Sequence, residues 1–156
     1  MQSAFSNFRQ KCSATSLAIL DKELYNDELF RAQLVDAAQS FSIGSAWDFK
    51  NKLATLIKPP SGDLLRGLTE LEPGEEWALK PGCVDDNPYI WSPGIKWGVK
   101  RGSYTHLTEF FGPVLGVICA EDLDEAIDIA NEPGYGLTSG LESLDTREQD
   151  SWISRT

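Results

Sequence analysis

The sequence is poor in the residues that build metal sites and disulfide frameworks. His106 is the single histidine in 156 residues, so a site that needs several histidines is excluded. The three cysteines, Cys12, Cys83 and Cys119, are odd in number and widely spaced, and no CxxC pair occurs. This pattern predicts neither a zinc site nor a disulfide framework. It fits a reducing, intracellular compartment: the cytoplasm, or the mitochondrial matrix in a eukaryote.

Basic residues and long apolar runs are also scarce. The formal net charge is −10, because 14 lysines and arginines face 24 aspartates and glutamates. An acidic surface repels phosphate backbones, so nucleic-acid binding is not predicted. No run of about 18 apolar residues is present, so no membrane span is predicted. Residues 1–9 also lack the basic and apolar segments of a secretory signal.

What remains is an ordinary globular composition. Hydrophobic residues make up 41% of the chain and charged residues 24%. A chain of 156 residues is long enough for one domain with a sizeable core. The sequence contains no internal repeat and no low-complexity tract.

The last third of the chain has the pattern of a strand–helix–strand unit. Residues 114–120 form an apolar run of strand length, which predicts a parallel strand covered on both faces. Asp122 and Glu125 have the spacing of a capping box, and apolar residues then recur at helical spacing. Residues 135–141 predict the next strand. A right-handed crossover between two parallel strands is therefore expected.

Earlier segments predict further strands and helices. Residues 14–20 form a mostly apolar run that predicts a buried strand, and a long helix is predicted from Asp21 to about Phe41. Ser61 or Asp63 is expected to cap a short helix, and residues 75–99 predict short strands and loops. The predicted buried side of that short helix is Leu64, Leu65 and Leu68.

The chain is predicted to end in one more helix. Asp145 is its expected cap, and the helical segment begins at Thr146 and continues to Arg155. Together these elements predict an α/β fold built on a parallel sheet.

Cys12 is a candidate nucleophile because it lies just before the first predicted strand. A sheet holds a residue at a strand end rigidly, as a reactive group requires. A thiol reacts as the thiolate, so such a cysteine also needs nearby positive potential or a base. Lys11 is adjacent, but neighbouring side chains usually point apart. Residue type alone favours a small buried hydrophobe for Cys12, and that interpretation is kept for Cys83 and Cys119.

Residues 108–115 join a carboxylate and aromatic rings to a Gly-Pro corner, and an apolar strand follows. An ionised glutamate such as Glu109 only accepts hydrogen bonds and can take two O–H donors. Phe111 adds a flat apolar surface, and this combination at the edge of a buried sheet is typical of a ligand pocket. Residue type alone favours the alternative of a solvated glutamate before two core phenylalanines.

The remaining titratable residues are predicted to be structural. His106 has no carboxylate that the sequence places beside it, as a general base would need. The acidic cluster in residues 121–125 lies at a helix N-terminus, where negative charge is favoured electrostatically. Neither feature predicts a metal site.

Two motifs together resemble the aldehyde dehydrogenase superfamily. Gln10-Lys11-Cys12-Ser13-Ala14 is similar to its Gly-Gln-x-Cys nucleophile segment, and Glu109-Phe110-Phe111-Gly112-Pro113 is similar to its Glu-x-Phe-Gly-Pro segment. Arg9 departs from the pattern, since the family has glycine there, and Ala54-Thr55 replaces the usual Gly-Pro. Further segments resemble the glutamate-γ-semialdehyde (1-pyrroline-5-carboxylate) dehydrogenase branch, as in the C-terminal module of bifunctional proline-utilisation enzymes: residues 3–6, 44–48, 59–62, 71–77, 91–96, 135–141 and 143–149.

The resemblance implies a role for four residues. Cys12 would be the catalytic nucleophile, and Ser13 would contact the substrate. Glu109 would hydrogen-bond the ribose beside the nicotinamide, and Phe111 would contact the nicotinamide ring. The implied cofactor is NAD, with NADP left open, and the implied substrate is a small aldehyde, L-glutamate γ-semialdehyde. No metal is implied.

The resemblance also implies that residues 1–156 are a partial catalytic domain of the three-layer, parallel-sheet aldehyde dehydrogenase type. The dinucleotide-binding half, the Glu-Leu-Gly-Gly segment with the general base, the oxyanion asparagine and the C-terminal oligomerisation segment do not occur in the sequence. Full-length relatives are expected to be homo-oligomers, and the isolated chain is expected to be inactive. Two alternatives stay open: a non-catalytic module that docks onto full-length subunits, and a dehydrogenase for another semialdehyde.

Overall fold

A computed structural model describes residues 2–5 and 9–156, and its centre is a mixed β-sheet. Ser6, the last residue of the segment 3–6 named above, lies outside these residues. In the described part of the chain the main sheet has four strands, in the order β1–β6–β5–β2. Their bounds are β1 Leu17–Asp21, β2 Glu76–Leu79, β5 Gly94–Trp97 and β6 Val114–Ala120. Strands β1, β6 and β5 are parallel, which confirms the parallel core, whereas β2 is antiparallel to β5.

Short helices and a hairpin complete the fold. The hairpin consists of β3 Cys83–Val84 and β4 Asn87–Trp91. None of the helices in the described ranges is long and apolar enough to cross a membrane. The helices, in chain order, are α1 Gln2–Phe5, α2 Lys22–Tyr25, α3 Glu28–Gln39, α4 Gly62–Thr69, α5 Tyr104–Leu107, α6 Leu123–Asn131 and α7 Thr146–Arg155.

Strand β6 separates two apolar clusters, because successive side chains of a strand point to opposite faces. Leu115 and Val117 pack in one cluster with Ala38 of α3. Ile118 packs in another with Ile129 of α6. Helices therefore cover both faces of the sheet, and the three-layer arrangement expected from the sequence is confirmed.

The predicted long helix after residue 21 is wrong, because the chain forms two helices, α2 and α3. Asp21 caps α2 by accepting a hydrogen bond from the backbone N–H of Glu23. Asp27 caps α3 by accepting from the N–H groups of Leu29 and Phe30. An aspartate side chain at an N-cap accepts hydrogen bonds from the first backbone N–H groups of a helix, so each of these caps marks the start of a separate helix. The apolar spacing that predicts a helix here begins at Phe30, inside α3, so it does not show whether the helix is continuous before that residue.

The predicted strand at residues 135–141 is also wrong. The segment makes no sheet ladder, and residues 136–140 are exposed. Gly136 has φ 141°, which turns the backbone away from strand geometry. The side chain of Tyr135 is held by the carbonyl oxygens of His106 and Thr108 instead. Strand β1 consequently pairs on one side with β6 and is half-buried, and it begins at Leu17 rather than at residue 14.

Helix α4 begins where predicted, but one of its faces was assigned wrongly. Ser61 occupies the N-cap position, although its side chain makes no capping hydrogen bond. Leu64 and Leu68 pack into the core, as predicted. Leu65 is exposed, because it lies about 100° around the helix from Leu64, at the edge of the buried side.

The caps of the two last helices agree with the sequence. The carboxylate of Asp122 accepts a 2.9 Å hydrogen bond from the N–H of Glu125. The carboxylate of Glu125 in turn accepts a 2.7 Å hydrogen bond from the N–H of Glu121, whereas in a regular capping box it would accept from the N–H of the cap residue, Asp122. Helix α7 begins after Asp145, whose carboxylate accepts from the N–H of Arg147.

Lys96 of strand β5 forms a buried ion pair with Glu75, the residue just before β2. Lys96 Nζ lies 3.3 Å from Glu75 Oε2, and the two side chains are 2% and 1% exposed. Burial lowers the pKa of Lys96, while the carboxylate of Glu75 opposes that shift. Lys96 also donates to Thr105 Oγ1 at 3.3 Å. Glu75 Oε1 has no hydrogen-bond partner among the described residues, so this carboxylate depends on Lys96 for its charge balance.

We expect Lys96→Met to lower the free energy of unfolding by about 3 kcal/mol, because it leaves the Glu75 carboxylate charged and buried. Urea unfolding followed by circular dichroism measures this difference. The double variant Lys96→Met/Glu75→Leu should recover most of the loss, since it removes both charges together. Lys22→Met, which removes an exposed cation, is the matched control and should change the stability by less than about 1 kcal/mol. Equal losses in the single and double variants would contradict the assignment.

Candidate active site

The segment between α5 and β6, here called the 108–114 corner, sends neighbouring side chains to opposite sides. Phe110 is 5% exposed, whereas Phe111 is 37% exposed and Glu109 also faces outward. Phe111 has φ 52°, in the left-handed region that bulky residues rarely adopt. Such strain persists only where the surroundings enforce it, and it is concentrated at functional sites. The corner thus exposes a carboxylate and an aromatic ring two residues apart.

Phe110 anchors the corner against helix α4. A Cβ atom at Gly67 would lie 2.7 Å from Cγ of Phe110, so the close approach needs glycine at that position. Leu68 and Val114 pack around the same ring. Lys96 Nζ lies 5.3 Å from the ring centroid on another side. The ring is enclosed on several sides, which fixes the two residues that flank it.

Arg9 links the candidate nucleophile segment to the 108–114 corner. Its side chain is 3% exposed, and Nη1 donates hydrogen bonds to the carbonyl oxygens of Gly112, at 3.3 Å, and Val114. Burial lowers the pKa of Arg9 to about 10, while Tyr135 and Glu109 act in the opposite direction. Arg9 has φ 55°, the conformation that the glycine expected here adopts readily.

Tyr135 and Gly94 brace the corner from two further segments. The Tyr135 hydroxyl donates to the carbonyl oxygens of His106 and Thr108, at 3.3 Å each. Burial raises the pKa of Tyr135, which keeps the phenol protonated and able to donate. The N–H of Gly94 donates to the carbonyl oxygen of Pro113 at 2.8 Å. The corner is therefore held by residues that are far apart in the sequence.

Cys12 lies in a turn, and its thiol is exposed. The interpretation as a small buried hydrophobe is therefore wrong for this residue. Hydrogen bonds hold the turn in place. Before the turn, Gln10 Oε1 accepts a hydrogen bond from the N–H of Ile57 at 2.8 Å. The N–H of Ala14 donates to the carbonyl oxygen of Lys11 at 3.0 Å. The thiol stands several residues before β1 rather than directly at its start.

Ser13 brings a third segment next to this turn. Its carbonyl oxygen accepts a hydrogen bond from Thr138 Oγ1 at 3.4 Å, and its side chain is half-buried. A hollow beside this segment is lined by residues of α6, residues 133–139 and Thr156, and neither Cys12 nor Glu109 lines it. The contacts of Arg9 and Thr138 nonetheless connect the Cys12 turn, the 108–114 corner and the segment after Gly134 into one region.

The other two cysteines differ from Cys12 in their surroundings. Cys83 is exposed in the hairpin, and its thiol donates to the carbonyl oxygen of Asn87 at 3.2 Å. The interpretation as a small buried hydrophobe is therefore wrong for Cys83 as well. Cys119 is half-buried in β6, where burial and the charge of Glu121 raise the pKa of its thiol. Cys119 lies in the core strand, as predicted, and its raised pKa disfavours the thiolate there.

His106 is structural, as predicted. It is buried, its Nδ1 accepts from the N–H of Gly102 at 2.9 Å, and its Nε2 lies 2.9 Å from the carbonyl oxygen of Ile129. These partners assign the neutral tautomer with the proton on Nε2, and they occupy both ring nitrogens. Within the described ranges, no group of histidine, cysteine and carboxylate side chains could hold a metal ion.

Sequence reasoning missed the groups that hold the site together. Arg9 was visible only as a departure from a motif, and nothing in the sequence indicated that its side chain reaches the 108–114 corner. Tyr135 was assigned to a strand that does not form. The pairing of Lys96 with Glu75 was not predicted either, since the segments 71–77 and 91–96 that contain them give no indication that the two side chains meet.

Comparisons with known proteins agree with the resemblance. The chain matches the aldehyde dehydrogenase family over residues 1–156. A 1-pyrroline-5-carboxylate dehydrogenase of Staphylococcus aureus (strain JH1) is 32% identical over 152 residues, which are 97% of this chain and 28% of that relative.

Solved structures of the same branch superimpose on the fold. Proline utilization A (PutA) from Corynebacterium freiburgense is 44% identical with a TM-score of 0.92, over 99% of this chain and 16% of that chain. A Thermus 1-pyrroline-5-carboxylate dehydrogenase with bound NAD is 25% identical with a TM-score of 0.82, over 99% of this chain and 30% of that chain. The chain thus spans less than a third of the length of these relatives. Since the family matches along the whole chain, this protein belongs to the aldehyde dehydrogenase family.

Proposed function

We propose that this chain supplies the nucleophile and part of the cofactor site for an NAD-dependent oxidation of L-glutamate γ-semialdehyde to glutamate, a step of proline catabolism. One observation carries the proposal. The exposed Cys12 turn is tied through Arg9 to a strained corner that presents Glu109 and Phe111. The names of the similar dehydrogenase and PutA proteins support this choice of aldehyde.

The 108–114 corner fits a nicotinamide riboside. The outward carboxylate of Glu109 can accept two hydrogen bonds from ribose hydroxyls. The exposed ring of Phe111 offers a flat apolar surface to a heteroaromatic ring. Bound there, a nicotinamide would supply the acceptor for the hydride that the oxidation removes from the substrate carbon. We propose NAD as the cofactor, in line with the Thermus relative described with NAD.

Cys12 and Ser13 are the residues proposed to act on the aldehyde. The Cys12 thiolate attacks the carbonyl carbon, so that a carbon–sulfur bond forms and the carbonyl electrons move to oxygen. The backbone N–H of Cys12 is proposed to donate a hydrogen bond to this oxyanion. Ser13, the next residue, is proposed to contact the substrate. After the carbon is oxidised, water cleaves the thioester, releases the carboxylic acid and restores the thiol.

We propose that the isolated chain does not complete this reaction. The sequence contains no Glu-Leu-Gly-Gly segment for a general base and no glycine-rich turn for a dinucleotide pyrophosphate. Losing an oxyanion donor lowers a rate by about 100-fold or more, and losing a general base has a similar effect. Without a dinucleotide-binding segment, the cofactor would also not be positioned for transfer.

A chimera tests the function. Residues 1–156 replace the matching segment of the PutA from Corynebacterium freiburgense, and NADH formation is followed with glutamate γ-semialdehyde and, for comparison, succinate semialdehyde. We expect activity that prefers glutamate γ-semialdehyde, and loss of about 1,000-fold or more with Cys12→Ala.

The matched control in the chimera is Cys83→Ala, which removes another exposed thiol outside the proposed site. This variant should keep the activity of the chimera. Equal loss in both cysteine variants, or a Cys12→Ala chimera that stays active, would refute the nucleophile assignment. A preference for succinate semialdehyde would refute the proposed substrate. NADH formation by the isolated chain above the blank would refute its proposed inactivity.

The thiols of the isolated chain should differ in reactivity. We expect iodoacetamide to label Cys12 and Cys83 about tenfold or more faster than Cys119 at neutral pH, because only exposed thiolates react readily. The raised pKa of Cys119 means that less thiolate is present there, so its labelling should keep rising as the pH passes the ordinary value of 9.0. Peptide mass spectrometry of timed samples measures all three rates. If Cys12 is as slow as Cys119, it is not accessible enough to act as a nucleophile.

A second candidate is a non-catalytic module that docks onto full-length subunits. One observation favours it: Trp47 and Phe49 project from a loop with 92% and 93% of their surfaces exposed. Co-elution of the isolated chain with a full-length relative, lost on Trp47→Ser/Phe49→Ser, together with an inactive chimera, would support this function. An active chimera supports the enzyme.

A further inference from the structure

The buried side chain of Arg9 has no part in the proposed chemical steps. It is almost fully enclosed, although a guanidinium carries a full charge that is costly to remove from water. Its backbone has φ 55°, a conformation that costs energy for any residue but glycine. Because the buried charge and the left-handed backbone both cost free energy, contacts of the Arg9 side chain must offset that cost.

The gain lies in the contacts of the guanidinium with the 108–114 corner. Nη1 of Arg9 donates to the carbonyl oxygens of Gly112 and Val114, which flank Pro113. The first of these carbonyls belongs to the residue directly after Phe111, which is the other left-handed residue of the region. A charged donor makes stronger hydrogen bonds than a neutral one, and burial strengthens them further. The guanidinium therefore grips the backbone at the point where the strained corner enters strand β6.

The charges around Arg9 also favour this placement. Glu109 of the corner and Tyr135 of the segment after α6 are the titratable groups whose charges act on Arg9. The Glu109 carboxylate attracts the guanidinium, so Arg9 interacts with the Glu109 side chain of the corner as well as with its backbone carbonyls. Phe110, between Glu109 and Phe111, is held from the far side by Gly67. The corner is thus held by the hydrogen bonds of Arg9 and by the packing of Phe110 against helix α4.

We propose that Arg9 is a positioning residue that holds the 108–114 corner in its strained conformation and thereby aims the ring of Phe111 at its ligand. That this ligand is a nicotinamide rests on the proposed function, whereas the hold on the corner does not. Arg9 touches neither substrate nor cofactor in this role. It couples the segment that carries Cys12 to the segment that carries Glu109 and Phe111.

A fluorine label at the ring of Phe111 tests the proposal. Incorporating 4-fluorophenylalanine at position 111 gives one ¹⁹F resonance that reports the environment of this ring. We expect Arg9→Met to shift or broaden the resonance and to speed amide exchange of residues 111 and 112 by about tenfold or more, because charged hydrogen bonds are lost. Arg9→Lys keeps a charged donor and should restore part of the wild-type signal, which a purely space-filling role would not predict.

Arg147→Met is the matched control, since this arginine is exposed and pairs with Asp145 outside the corner. It should leave both the resonance and the amide exchange unchanged. A folded Arg9→Met chain with the wild-type resonance and wild-type exchange would overturn the proposal. An effect of the same size from Arg147→Met would overturn it as well.

A titration of the wild-type chain decides the matter if Arg9→Met does not fold. Burial lowers the pKa of Arg9 to about 10, so the side chain is charged at neutral pH and loses its charge as the pH rises through that value. The ¹⁹F resonance of the label at 111 should change over this range. Tyr135→Phe removes the neighbouring phenol, and the change should persist in that background. A resonance that does not respond in the Tyr135→Phe chain would overturn the proposal.

Adding nicotinamide mononucleotide separates this proposal from the proposed function. We expect the ¹⁹F resonance of the wild-type chain to move at millimolar concentrations of the mononucleotide, and to move less in Arg9→Met. A resonance that depends on Arg9 but ignores the mononucleotide would count against the nicotinamide site while supporting the hold on the corner. A resonance that moves equally with the mononucleotide in the wild type and Arg9→Met would overturn the positioning role and support the nicotinamide site.

Discussion

The packing of Phe110 against helix α4 is the interaction on which the candidate site depends. Gly67 lets the ring approach the helix backbone, and Leu68 and Val114 close the cluster around it. Phe110 is buried, whereas Glu109 and Phe111 on either side of it are exposed, and Phe111 has a left-handed backbone. The buried ring thus anchors the short segment that exposes a carboxylate and a second ring.

Long-range hydrogen bonds then set the geometry of that corner. Arg9, Tyr135 and Gly94 each bind a carbonyl oxygen in or next to the 108–114 corner, although they lie in separate parts of the chain. Arg9 belongs to the Cys12 segment, so the two halves of the proposed site are joined by a buried cation. Lys96 contacts the ring of Phe110 in the same corner and forms a buried ion pair with Glu75. Preorganised sites are commonly supported by such a layer of residues that take no part in chemistry.

Much of the fold could be predicted from local patterns, and each error in the prediction has an identifiable physical cause. Strand β6 and helices α6 and α7 agree with prediction, because an apolar run and aspartate caps at Asp122 and Asp145 are strong signals. The prediction of one long helix failed at Asp27, where an aspartate cap starts a new helix, because the apolar spacing begins only at Phe30 and does not cover the break. Residues 135–141 failed because Tyr135 hydrogen-bonds distant carbonyls and Gly136 turns the chain.

The sequence by itself determined the family, the α/β class and the candidate residues Cys12, Ser13, Glu109 and Phe111, because short motifs and apolar periodicity are properties of neighbouring residues. The roles of these four residues stay predictions. Only the tertiary structure decided that Cys12 is exposed while Cys119 is not, that Phe111 is strained, and that Arg9 reaches the corner. Burial and hydrogen bonds across about a hundred residues depend on how the chain is packed, and no local pattern carries that information.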